Sequence, residues 1–246
     1  MIEILFKDGD LIAVNKPPGI SVHEAPGPGS SVMRQLRTQG LADLTPVHRL
    51  DKDASGVLLL AKTKATASAL QKKWETVEKT YWALCAGAPP ESNGLIDAPI
   101  LENQSGKPER LERALKYFRK IHGDKEPPPL PKPKTSAVHP AGRKSQTAYR
   151  VLQTFERDGK KWSWLEVRPL QGRMHQIRVH LAHAAAPLAL DTLYGPPGAE
   201  LKLKRLPLHA AALTIEWPVD SGKRMTISAP LPADIKVALE TLRKGA

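Results

Sequence analysis

The chain has 246 residues, enough for one large domain or two small ones and enough to bury a core without covalent staples. Its 37 Lys and Arg against 25 Asp and Glu leave a formal net charge of +12, spread along the chain, which points first to a polyanion such as RNA or DNA. One cysteine, Cys85, excludes an internal disulfide and a Cys-rich zinc site and fits a reducing, cytoplasmic compartment; no apolar run reaches the ~18 residues of a membrane span.

Met1 to Asp10 carries acids inside its apolar run, so it reads as the first strand of a fold and not as a signal peptide. Apolar residues 2–6 and 11–14 flank Asp8-Gly9, a hairpin signal, and Pro17-Pro18-Gly19 stops the second strand. A short helix is expected over Val32–Arg37. A buried strand follows over Val57–Ala61, then a helix over Lys64–Glu75 and a strand over Tyr81–Ala86. Further on, strands Thr147–Phe155 and Trp162–Leu170 flank a turn at Asp158-Gly159. Gln176–Ala185 is helical with Ile177, Leu181 and Ala184 on one face. Leu208–Trp217 and Arg224–Ser228 read as strands, and Pro232 opens a terminal helix. Strands outnumber helices and are joined by short turns, which predicts an α+β fold with a largely antiparallel mixed sheet and flanking helices.

Residues 102–140 differ in composition, holding 7 of the 23 prolines and nine basic against five acidic residues. Pro108 can start a helix with Leu111, Leu115 and Phe118 on one face, which would leave Arg110, Arg113 and Arg119 outward; the prolines at 127–133 follow as a stiff, extended segment. Strand patterns resume at once beyond it. Residues 1–246 are therefore expected to form a single domain from which this basic segment projects, either touching a partner without shaping the site or standing as a surface insertion that binds nothing.

Phosphate loops, His-Glu-x-x-His and Gly-x-Ser-x-Gly are absent. His175, His180 and His183 raise the question of a metal, but on a helix residue 175 lies about 140° from 180 and neither 180 nor 183 has an acid four residues on. Surface or partner-facing histidines are the better expectation, and no metal is expected.

The informative pattern is distributed. His48-Arg49-Leu50-Asp51 sets a carboxylate beside an Arg just before a buried strand, Lys79-Thr80-Tyr81 opens another strand with a Tyr, and Gly172-Arg173-Met174-His175-Gln176-Ile177-Arg178 supplies donors on a helix. Singly, Asp51 could be a helix cap or ion-pair partner, Tyr81 a rim residue of the core and Arg178 a surface cation. In this order, with Asn15-Lys16-Pro17-Pro18-Gly19, Ser55-Gly56, Thr147-Ala148-Tyr149, Asp191, Tyr194-Gly195 and Leu208-His209-Ala210, the chain resembles the RluA family of pseudouridine synthases over nearly all its length. It departs from the family at Ala54 and Met174, where Thr is usual, and at Leu190, where Gly is usual.

The resemblance implies the pseudouridine synthase catalytic fold and isomerisation of specific uridines in structured RNA, ribosomal or transfer. The N1–C1′ bond breaks, the base turns, and C5 bonds to C1′, with no cofactor. It makes Asp51 the essential carboxylate, attacking the sugar or removing a C2′ proton. Arg178 becomes the cation that keeps Asp51 ionised in a closed site, and Tyr81 the residue that packs on uracil and can take the C5 proton. Reaching the base requires flipping it out, with Arg49 filling the space; His48, Arg173 and His175 are further candidate RNA contacts. The expected protein is a cytoplasmic monomer with no membrane partner. The competing classes are a non-catalytic RNA-binding module, which needs the charge but not all three of Asp51, Tyr81 and Arg178, and a metal-dependent hydrolase, which lacks a ligand set.

Overall fold

A computed structural model of the chain describes residues 1–24, 30–104, 107–123, 125–195, 201 and 203–244. In chain order it contains β1 (Glu3–Lys7), β2 (Leu11–Lys16), α1 (Val32–Thr38), β3 (Thr45–Pro46), β4 (Ser55–Ala61), α2 (Lys64–Lys72) and β5 (Glu78–Ala86). There follow β6 (Asn93–Asp97), β7 (Ile100–Glu102), α3 (Pro108–His122), β8 (Ser136–Val138), β9 (Gln146–Arg157), β10 (Lys160–Pro169), α4 (Gln176–His183), β11 (Leu208–Glu216), β12 (Arg224–Ser228) and α5 (Ala233–Arg243).

Local chemistry accounts for most of these boundaries. The β1–β2 turn closes because the Asp8 carboxylate accepts from Asp10 N and Leu11 N at 2.8 and 2.7 Å. Ser31 and Thr63 cap α1 and α2 by accepting from the backbone N–H three residues on. Asp158 and Gly159 both take positive φ, as a two-residue hairpin turn requires, and join β9 to β10. Helix α2 ends at Lys72, three residues before the expected end, because Trp74–Thr76 tighten into a 3-10 turn. Four short strands, β3, β6, β7 and β8, carry too few alternating apolar residues to stand out by pattern; β6, for example, has the mostly exposed sequence Asn-Gly-Leu-Ile-Asp.

The chain divides into two compact units. Of the described residues, the first comprises those of 1–83 and 201–244, and the second those of 84–195. In the first, the strand order is β1-β2-β4-β11-β5, with β12 on β11 and β3 on β4. All these pairs are antiparallel except β4 with β11. Strand β4 is buried at all seven positions, which explains its continuous apolar run. On one side of the sheet Leu11, Ala13, Val57 and Leu59 pack with Leu70 of α2; on the other Ile12, Val14, Leu58 and Leu60 pack with Val32 and Leu36 of α1. This α+β architecture, with its largely antiparallel sheet, is the one expected.

In the second unit β10-β9-β6 form an antiparallel sheet, and β7 and β8 pair as a separate two-stranded ribbon. That ribbon forms the base of the 102–140 segment. The segment leaves at β7 and returns at β8 in register, Leu101 opposite Ala137 and Glu102 opposite Ser136. Ile100 is further clasped to Arg143 by two backbone hydrogen bonds. Between the ribbon strands, α3 starts at Pro108 and buries Phe118, with Leu111 and Leu115 half-buried; Arg110, Arg113 and Arg119 are exposed, as the spacing predicts.

Candidate active site

Asp51 lies on the turn between β3 and β4, and the backbone around it is held from three directions. Ala54 N donates to Asp51 O at 3.2 Å. Gly19 N and Lys16 Nζ both donate to Lys52 O, at 2.9 and 2.8 Å. Lys16, fully buried, donates also to Pro17 O and Ile20 O, so its three N–H groups are all used on carbonyls. Burial holds its pKa down to about 8, against the pull of Asp53 and Asp51. Sequence reading noted Lys16 without a task; a Lys inside an apolar strand just before a Pro-Pro-Gly turn was the available signal.

The third hold is at the start of β4. Ser55 Oγ bonds to His209 Nδ1 and accepts from Arg205 Nη1, both at 2.9 Å, while Arg205 grips Asp234 with Nε and Nη2 at 2.6 and 2.9 Å. Gly56, at φ +110°, lies so close to β11 that a Cβ there would stand 2.2 Å from Ala210 O. Ser55-Gly56 in the motif is therefore a packing requirement of the strand that carries Asp51. Arg205 and Asp234 escaped sequence reading because their meeting spans 29 residues and their link to Ser55 spans 150.

Just before Asp51, His48 Nε2 accepts from Leu59 N at 3.0 Å, and its ring stacks on Trp74 at 4.7 Å. Burial lowers its pKa to about 4, so the ring is neutral. His48 is thereby a brace for the Asp51 segment, and Arg49, which is exposed, is the one of this pair that faces solvent. Tyr81, on β5 of the same unit, is half-buried and packs against the α1 side of the core. Burial first, and the Asp51 carboxylate second, push its phenol above the usual range. The hydroxyl is therefore protonated near neutral pH.

Arg178, Arg173 and His175 belong to the second unit. Arg178 sits in the buried run Gln176–Leu181 of α4, its side chain 7% exposed, and holds the fully buried Asp191 with Nε and Nη2 at 2.8 and 2.7 Å. Within this unit the guanidinium makes a two-point grip on the Asp191 carboxylate. Asp191 Oδ1 also accepts from Leu193 N and Tyr194 N, and the Tyr194 ring lies 5.1 Å from the guanidinium carbon. Leu190, the departure from glycine, adopts φ +60° at the entrance to this turn, a conformation in which glycine is unstrained.

The approach to α4 is tied to the ribbon. Glu102 Oε1 accepts from Met174 N at 2.5 Å, Ser136 Oγ donates to Met174 O at 2.7 Å, and Ser136 N donates to the Tyr194 hydroxyl at 2.8 Å. That hydroxyl shares a 2.8 Å hydrogen bond with His175 Nδ1. Met174 is thus held by its backbone, so a residue other than threonine is accommodated. Arg173 donates to Lys144 O at 3.2 and 3.4 Å. His180 corrects an expectation: it is neither a surface nor a partner-facing residue, but is fully buried between Thr147 Oγ1 and Ala98 O. His183, on the same helix, is exposed. Among the described residues, no helix is long and apolar enough to cross a membrane.

The chain is similar to known proteins over most of its length. Residues 10–183 match the family model described as RNA pseudouridylate synthase. The chain is 39% identical over 242 residues to an uncharacterised RNA pseudouridine synthase of Chloroflexus aurantiacus, covering 94% of this chain and 66% of that one. It is 36% identical over 254 residues to the ribosomal large subunit pseudouridine synthase C of Yersinia pestis (99% and 70% covered) and 34% identical to that of Pasteurella multocida (98% and 68%). The chain therefore spans about two thirds of the length of these relatives. Among solved structures, human RNA pseudouridylate synthase domain containing 1 superposes with a TM-score of 0.71 at 25% identity, covering 99% of this chain and 95% of that one. The matched segment contains Asp51, Tyr81 and Arg178, and on these grounds the chain belongs to the RNA pseudouridylate synthase family.

Proposed function

We propose that the chain isomerises uridine to pseudouridine in large-subunit ribosomal RNA, with Asp51 as the essential carboxylate. The observation that carries this reading is the Asp51 turn, fixed through Lys52, Ala54 and Ser55 beside Tyr81, in a chain whose family match includes both residues. The relatives named for the large ribosomal subunit favour ribosomal over transfer RNA as substrate.

Asp51 either attacks C1′ as the N1–C1′ bond breaks, forming an ester that is displaced when C5 of the turned uracil bonds to C1′, or removes the C2′ proton as that bond breaks and returns it when C5 adds to C1′. The proton lost from C5 passes to water, and N1 takes one from water. Arg178, oriented by Asp191, is the cation that the reaction draws on. Tyr81, protonated, holds the turning base by its ring. Arg49 occupies the stack left by the flipped nucleotide, and Arg173 and His175 are further RNA contacts. The chain acts as a cytoplasmic monomer, without cofactor.

Because C5 loses its hydrogen, the direct test is tritium release to water from a large-subunit ribosomal RNA transcript made with 5-tritiated uridine. Stoichiometric release, with pseudouridine at discrete positions, is expected. Release from a transfer RNA transcript alone would reassign the substrate, and release from neither would remove the proposal.

A further inference from the structure

The helix α3 has two faces of different chemistry. One is seated: Phe118 is buried, its ring 4.5 Å from that of His122 and 6.2 Å from that of His139, with Leu111 and Leu115 beside it. On the opposite side Arg110, Arg113, Lys116, Tyr117 and Lys120 fall within an arc of about 120° at 100° per residue, and all are exposed. Glu109, in the first turn, is the one carboxylate inside that arc. Among the described residues, none of the four cations pairs with a carboxylate. Tyr117 is 61% exposed in their midst and Ile121, next to it on the helix surface, 54%. An ordinary solvated helix face interleaves charges of both signs and does not present an aromatic ring between cations.

We propose that this face of α3 is a docking surface for RNA flanking the target uridine: the cations lie along phosphates and the Tyr117 ring stacks on one unpaired base. The chemistry is that of a single-stranded nucleic-acid platform, a basic track with an aromatic step. Within this unit the surface is linked through the ribbon to the approach to α4. Glu102 and Ser136, at the base of the α3 segment, hold Met174 and the Tyr194 hydroxyl, and Tyr194 packs on Arg178. RNA lying on α3 is therefore tied to the element that carries Arg178. The inference rests on RNA being the substrate and names a second contact region for it.

The test uses the full chain and a fluorescein-labelled 30-nucleotide RNA stem–loop, with binding followed by anisotropy across a salt series. The variant Arg110→Gln/Arg113→Gln/Lys116→Gln/Lys120→Gln should bind at least tenfold more weakly at about 0.1 M salt, with the slope of log affinity against log salt shallower by about 3. Tyr117→Ala should weaken binding about fivefold or more, and Tyr117→Phe should restore it, since stacking needs the ring and not the hydroxyl. Unchanged affinity and slope in the charge variant, with circular dichroism showing intact helix, would overturn the proposal; so would equal behaviour of Ala and Phe at 117. Tritium release by the unaltered chain tests the reaction separately. Weakened stem–loop binding by the variant supports the surface whatever that assay returns.

Discussion

Asp51, Arg178 and His209 show how much a residue's neighbours decide what its functional group can do. Asp51→Asn keeps the shape of the side chain and removes its nucleophilic or basic charge. The expected outcome is loss of tritium release to background with RNA affinity within about twofold, read by anisotropy on the same transcript. Arg178 spends Nε and Nη2 on both oxygens of Asp191, a grip that an ammonium cannot reproduce. Arg178→Lys should therefore lower the single-turnover rate by about a hundredfold and destabilise the fold by about 3 kcal/mol, since a buried carboxylate loses its partner; chemical denaturation separates the two effects. His209 is fully buried, and burial depresses its pKa to about 4. Between pH 6.5 and 4 the unfolded chain binds a proton that the folded chain refuses, so stability falls as pH falls through that window. From pH 7 to pH 5 the loss from this residue should be about 2 kcal/mol, measured by urea denaturation against His209→Gln, which lacks that slope. The motif residues, their order and their chemistry were readable in the sequence. Asp191's role was not, because nothing in a linear pattern says which of several carboxylates meets a guanidinium.

Strand β4 and the β7–β8 ribbon carry the argument at the scale of elements. Strand β4 was legible as a buried strand because all seven positions face protein, and a continuous apolar run is what such burial requires. Its parallel pairing with β11, His209 opposite Ser55 and Ala210 opposite Gly56, brings together residues some 150 positions apart and explains the glycine. Gly56→Ala would force a Cβ against Ala210 O at 2.2 Å in a left-handed backbone; the expected cost is about 3 kcal/mol or more, seen as a lowered denaturation midpoint. The Asp51 turn runs directly into this crossing, so the surviving folded fraction should also turn over more slowly. The ribbon strands are three residues each, too short for alternation to register, and their task emerges only from partners such as Met174 and Tyr194.

For the whole molecule, charge and insertion are the features with a measurable consequence. The +12 excess predicts steep salt dependence of RNA binding, since each neutralised phosphate releases counterions. The segment inserted between β7 and β8 can be divided at its neck, where Asn103 N donates to Thr135 O and Lys134 N donates to Asn103 O. Replacing 107–131 with a short Gly-Ser linker leaves Glu102 and Ser136 in place, and the product should fold, keep a tritium-release rate within about threefold at saturating RNA and bind the transcript more weakly. Extending the cut through Ser136 removes the hydrogen bonds to Met174 O and the Tyr194 hydroxyl. That longer deletion should slow turnover far more than the shorter one, a contrast that a simple kinetic comparison of the two variants measures.

By itself the sequence determined the family, the α+β class, the order of the long elements and the identity of the chemical groups. These depend on local periodicity, turn chemistry and motif spacing, all of which are properties of neighbouring residues. Only the tertiary structure decided that Asp191 is the carboxylate in Arg178's fork, that His48 and His180 are spent on backbone and core contacts, and that Arg205 and Asp234 secure the strand bearing Asp51. A buried polar group must be matched wherever the fold delivers a partner. The distance along the chain to that partner, 13 residues for Arg178 and 150 for Arg205, is set by strand pairing and not by any local rule.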